Sequence, residues 1–133
     1  MTGNRSAALT LLLALFGAVA AHTRDAAAQS PEQLIDLGTR VHGGFGTYIA
    51  LGIRIGTDAL AALGAQPRDV DVTLHSGPKA PCPCRIDGVM IATAASPGQG
   101  TLRVAAEHAA ENEIGVVLVK HRRDGRSVRE VVK

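Results

Sequence analysis

The chain has 133 residues, with 14 basic and 12 acidic side chains and a formal net charge of +2. So balanced a charge argues against a nucleic-acid-binding surface. One Tyr, two Phe and no Trp also leave no aromatic platform for single-stranded nucleic acids. We therefore expect no nucleic acid among its partners and a core built from aliphatic side chains.

The N-terminal segment is typical of a secretory signal. Arg5 precedes an apolar run over residues 7–21, which is shorter than the roughly 20 residues that a membrane-spanning helix needs. Cleavage is expected after Ala28, with a second candidate position after Ala20. Residues 1–28 are thus predicted to be a signal peptide and the mature protein to be periplasmic or secreted, without membrane association. An uncleaved membrane anchor is the alternative.

Residues 29–133 should form a single domain that begins with two helices. Ser30 and Gln33 form a capping box around Pro31, which suits a first helical position, so a helix is predicted over about 31–41. Apolar residues at helical spacing predict a second helix over about 48–63, with Leu51 and Ile55 buried and Gly64 as its C-terminal cap.

The second half of the chain alternates strands with one helix. Residues 69–75 alternate polar and apolar, which is typical of a half-buried strand, and the prolines of 76–83 exclude regular structure. A helix is predicted over 84–94 and a turn over 96–100. Further strands are predicted at 101–105, 114–121 and 127–132, with the second of them central in the sheet. This order predicts an α+β fold with the helices packed on a mixed β-sheet.

His42 is the first candidate functional residue, at the end of the first helix. Gly43 and Gly44 follow it and leave the backbone bare, so that a ligand could approach closely. The structural alternative is that His42 only interacts with the last helix carbonyls and the negative end of the helix dipole.

Cys84 and Asp87 share one face at the start of the third helix. A thiol at a helix N-terminus has a lowered pKa, so Cys84 could be a nucleophile, a redox thiol or a soft metal ligand. Asp87 could orient a partner or simply cap the helix.

Cys82 and Cys84 are the only two cysteines of the chain. Their proximity leaves three alternatives: a redox-labile disulfide, a two-thiolate site for zinc or copper, and incidental pairing. In the metal site, His42 or His75 would complete a three-coordinate set. His108 and His121 are expected at the surface.

Together these segments resemble the formylmethanofuran dehydrogenase E-subunit family. The resemblance is carried by residues 41–52, by Cys84-Arg85-Ile86-Asp87 and by residues 93–102. It implies a helix-strand-helix-three-strand core and a pocket formed by His42, Cys84 and Asp87. Gly98 and Gly100 would border that pocket. The chain departs from the family pattern where Gly44, Gly46, Thr47, Ala95 and Gln99 replace a His, a Cys, a Pro, a Cys and a Lys.

The resemblance favours a binding protein over the family's namesake chemistry. Formylmethanofuran chemistry depends on cytoplasmic molybdenum or tungsten subunits, which an exported domain would not meet. We therefore expect a ligand- or metal-binding protein with a partly lost site, whose partner is a small ligand or a metal ion. The alternative is a thiol-dependent enzyme with Cys84 as nucleophile or redox centre, His42 as base and Asp87 as orienter. A vestigial pocket is a third hypothesis, and a homodimer is one state that the chain could adopt.

Overall fold

The computed structural model describes residues 29–80 and 82–133, so the predicted signal peptide lies outside the described residues. This part of the chain forms three helices, a 3-10 turn and four strands. In chain order they are α1 (Pro31–His42), α2 (Thr47–Leu63), β1 (Val70–Ser76), α3 (Arg85–Thr93), the 3-10 turn (Pro97–Gln99), β2 (Leu102–Val104), β3 (Gly115–His121) and β4 (Ser127–Val132). The predicted order of elements and the α+β class are confirmed.

The four strands form one mixed sheet in the order β2-β1-β3-β4. β1 and β2 are parallel because α3 carries the chain back between them, whereas the β1–β3 and β3–β4 pairs are antiparallel. β3 therefore lies inside the sheet, as predicted. No helix in the described part of the chain has the length and apolar character to cross a membrane.

Local signals at the helix ends operate as the sequence predicts. The Ser30 side chain accepts a hydrogen bond from the Gln33 amide, and the Gln33 side chain accepts one from the Ser30 amide. Gly43 ends α1 with a φ of 87°, and Gly64 ends α2 with a φ of 61°; both are left-handed values that favour glycine.

The core lies between the sheet and the two helices α2 and α3. Every second residue of the inner strands faces it, and α2 contributes a wide apolar stripe. The fully buried members include Ile49, Ala59, Val70, Val72, Leu74, Val89, Val117 and Val119. Ile55 is buried as predicted, while Leu51 is only partly buried against this core. The surface expectation for His121 is wrong: its position on β3 leaves it 6% exposed.

Helices α2 and α3 approach so closely that glycine is required at their contact. A methyl group on Gly52 would overlap the carbonyl oxygen of Arg85, and one on Gly88 would overlap the carbonyl oxygen of Ile49. The obstructing atoms belong to backbone, so they cannot move aside without separating the helices. This contact holds the first turn of α3 against the N-terminal half of α2.

We predict that Gly88→Ala destabilises the protein. Alanine favours helix by about 1 kcal/mol over glycine, but overpacking costs about 1–3 kcal/mol or more when backbone must shift, so the free energy of unfolding should fall. Chemical denaturation measures it. Gly98→Ala is the control, because a methyl group there would meet open space. A Gly88→Ala variant as stable as the parent would contradict the described helix contact.

Candidate functional site

His42 and Asp87 meet where the end of α1 reaches the first turn of α3. His42 Nδ1 lies 2.8 Å from Asp87 Oδ2, and the two side chains are 36% and 30% exposed. An ionised carboxylate can only accept, so Nδ1 carries the hydrogen and donates it to Asp87. The Nε2 atom of His42 is thereby left free to bind a proton, a metal ion or a ligand donor.

Cys84 lies one turn before Asp87, as the N-cap residue of α3. Residues three apart on a helix have Cβ atoms roughly 5–6 Å apart on one face, so the Cys84 and Asp87 side chains start from the same face of α3. Cys84 is joined to Cys82 by a disulfide, and its amide donates to Cys82 Sγ at 3.3 Å. Of the three alternatives for this pair, the disulfide is the state that the structure contains.

The sequence allows two roles for Asp87, namely orienting a partner and capping α3. The side chain of the N-cap residue Cys84 makes no capping hydrogen bond, and the Asp87 carboxylate points to His42. Its negative charge still lies in the first turn of the helix, where the dipole favours it. The carboxylate therefore orients the imidazole at no cost to the helix.

Arg85 is a buried charged residue that sequence reasoning missed. It is fully buried, and its Nη2 donates to the Ile114 carbonyl oxygen at 2.8 Å. Its Nε and Nη1 atoms have no hydrogen-bond partner among the described residues. Burial lowers the pKa of the guanidinium, and the nearby Tyr48 opposes that shift. Its place between Cys84 and Asp87 was the only available signal, because a single Arg gives no periodic pattern.

His75 lies apart from the contact between His42 and Asp87. It follows Leu74 on β1 and so faces the side of the sheet opposite the helices, where its Nδ1 donates to the Glu107 carbonyl oxygen. Among residues 29–80 and 82–133, no group of three or more His, Cys, Asp or Glu side chains is arranged to hold a metal ion. The predicted set of His42, Cys82, Cys84 and His75 is thus not assembled in this state.

The predicted ligand-binding glycines lie in two places. Gly43 and Gly44 follow His42, and added methyl groups there would meet open space. Gly98 lies in the 3-10 turn after the C-terminal end of α3, and Gly100 caps that turn at a φ of 68°. The site lies at the N-terminal end of the same helix. That Gly98 and Gly100 border the pocket thus stays a prediction.

Comparison with known proteins identifies one related family. The family model FmdE, described as molybdenum formylmethanofuran dehydrogenase operon, matches residues 41–133, which is more than half of the chain. The match begins one residue before His42 and includes Cys84, Arg85 and Asp87. Among the curated proteins compared with it, none matches the chain.

We predict that Arg85→Met raises the free energy of unfolding by about 1–2 kcal/mol, because it removes a buried charge with unsatisfied donors. The Ile114 carbonyl oxygen would keep its second donor, the Gly77 amide. Urea denaturation measures the change, with the exposed Arg123→Met as control. A less stable Arg85→Met variant would show that the guanidinium stabilises the native state.

Proposed function

Since this chain belongs to the FmdE family, we propose that it is an exported binding domain, with a small ligand or metal ion held at the His42–Asp87 contact. The observation that carries the proposal is the 2.8 Å hydrogen bond from His42 Nδ1 to Asp87 Oδ2. Histidines that bind metal usually donate their other ring nitrogen to a carboxylate or a carbonyl, which fixes the tautomer and the ring orientation. His42 has this partner and is one-third exposed.

The state of the cysteines determines which ligand the site accepts. In the disulfide form, His42 Nε2 is available as a hydrogen-bond acceptor, which suits a small ligand with a donor group. Reduction by an added dithiol, which is itself oxidised to a disulfide, supplies two electrons and two protons and yields two half-buried thiols at the start of α3. Deprotonated, these thiols are soft ligands for zinc or copper, and metal binding releases their protons. We therefore propose that metal binding belongs to the reduced protein.

The thiol-enzyme alternative has weaker support. A nucleophilic Cys84 needs a free thiol whose proton a base can take, whereas Cys84 is joined to Cys82 by a disulfide. Binding of a small ligand requires no free thiol. Formylmethanofuran chemistry is not part of the proposal, because Gly44, Gly46 and Ala95 replace side chains that the family pattern usually carries.

Zinc titration of the reduced and oxidised mature protein tests the proposal by calorimetry and native mass spectrometry. We expect one zinc ion per reduced chain and markedly weaker binding by the oxidised chain. His42→Ala should remove most of the affinity, and Asp87→Asn should lower it by about 10- to 100-fold, the usual effect of losing such an orienting partner.

The exposed His108 provides the matched control, so His108→Ala should bind zinc like the parent protein. Zinc affinity of reduced protein that is unchanged by His42→Ala would refute metal binding at this contact. Cys82→Ser and Cys84→Ser should each weaken zinc binding without the need for an oxidant, which separates ligand loss from disulfide formation.

Export is a separate prediction that follows from residues 1–28. Intact-mass analysis of the protein purified from its native cell should find a chain that begins at Gln29, or at Ala21 if cleavage follows Ala20. A mature chain that retains Met1 would contradict export by this signal.

A further inference from the structure

A cavity of about 330 Å³ opens on the sheet face opposite the helices. We refer to it as the outer cavity. Val116 and Leu118 of β3 form its apolar floor, and four polar side chains surround it: His75, His108, Glu113 and Arg129. None of its lining residues belongs to the His42–Asp87 contact. A ligand in the outer cavity would therefore not depend on the function proposed above.

Two histidines clasp the segment 105–114 onto β1 and so form one wall of the outer cavity. His75 Nδ1 donates to the Glu107 carbonyl oxygen at 3.1 Å, and His108 Nδ1 donates to the Ser76 carbonyl oxygen at 3.2 Å. Because a carbonyl only accepts, both Nδ1 atoms carry hydrogen. Each ring keeps its Nε2 atom free of partners among the described residues. These two hydrogen bonds, which we call the clasp, fix both imidazole rings and leave each Nε2 atom available to bind a ligand.

The two charged side chains of the outer cavity, Glu113 and Arg129, differ in how many of their polar atoms have partners. One oxygen of Glu113 accepts the Ala110 amide at 3.2 Å, and the other lies 3.5 Å from Arg129 Nη2. The Glu113 side chain is 12% exposed, whereas that of Arg129 is 56% exposed. Charge-assisted hydrogen bonds are usually about 2.7–2.9 Å long, so this ion pair is loose. Arg129 therefore keeps most of its donors for another anion.

We propose that the outer cavity binds a small organic carboxylate with an apolar body. The carboxylate would take paired hydrogen bonds from the Arg129 guanidinium, whose planar fork matches a carboxylate. Imidazole Nε2–H groups would donate to it when His75 or His108 is protonated. The apolar body of the ligand would lie on Val116 and Leu118. Since liquid water occupies about 30 Å³ per molecule, the cavity admits a ligand of on the order of ten non-hydrogen atoms.

A metal ion suits this cavity less well. Although the outer cavity holds two histidines and a glutamate, the described part of the chain has no group of three such side chains that could ligate a metal. Glu113 is engaged by Ala110 and Arg129 instead. An anion gains from Arg129, which would repel a cation. The charge arrangement therefore favours a carboxylate.

Benzoate and its neutral isostere benzamide test the proposal in amide-resolved NMR titrations of the mature protein. We expect saturable benzoate shifts at Ala109, Ala110, Val116 and Leu118, with affinity for benzamide at least about tenfold lower, as for loss of a charged hydrogen bond. Arg129→Gln should weaken benzoate binding by about tenfold or more. The exposed Arg123→Gln serves as its control and should bind benzoate like the parent.

A second variant examines the histidines without opening the clasp. His75→Asn with His108→Asn places an amide N–H near each former Nδ1 and removes both Nε2 atoms, so the fold should persist while benzoate binding weakens. Equal affinity for benzoate and benzamide would overturn the proposal. So would unchanged affinity in Arg129→Gln, absence of saturation, or shifts centred on His42 and Asp87.

Discussion

The close contact of α2 and α3 at Gly52 and Gly88 is the constraint on which the site depends. Each glycine gives space to a backbone carbonyl of the opposite helix, that of Arg85 or of Ile49. The close approach of α2 and α3 places the first turn of α3 beside the start of α2. Because α1 ends shortly before α2 begins, the C-terminal end of α1 lies at the same place. His42 can reach Asp87 only because both helix ends are held at the same edge of the core. His42 and Asp87 are therefore positioned by two glycines that have no functional side chain themselves.

The close packing of α2 and α3 has a free-energy cost, which is the burial of the Arg85 guanidinium. The helix contact turns the Arg85 side chain inward, and the guanidinium occupies the space that a side chain at Gly115 would fill. A buried guanidinium with one carbonyl partner opposes folding rather than supporting it. The fold tolerates it because the aliphatic core of α2, β1 and β3 supplies the stabilisation. Arg85 is thus a buried charge that the domain holds despite its free-energy cost.

Local patterns predicted most of the fold, whereas the site required contacts distant in the sequence. The capping box at Ser30, the glycine after α2 and the alternation of Val70, Val72 and Leu74 each act within a few residues, so the sequence reveals them. The bond between His42 and Asp87 joins residues 45 positions apart, and the family resemblance rather than periodicity brought them together. The burial of Arg85 and the clasp of His75 with Glu107 have no local signal.

Two departures from the family pattern lie where packing imposes no constraint. Gly44 and Gly46 stand where the pattern usually carries a His and a Cys, and side chains added there would meet nothing within 4 Å. Donor side chains could therefore be lost at these positions without a cavity or a strained backbone, and no compensating change in the core was needed. Gly52 and Gly88 lack this freedom, since backbone lies against both. A change at Gly44 or Gly46 would accordingly leave the helix contact intact, and with it the hydrogen bond between His42 and Asp87.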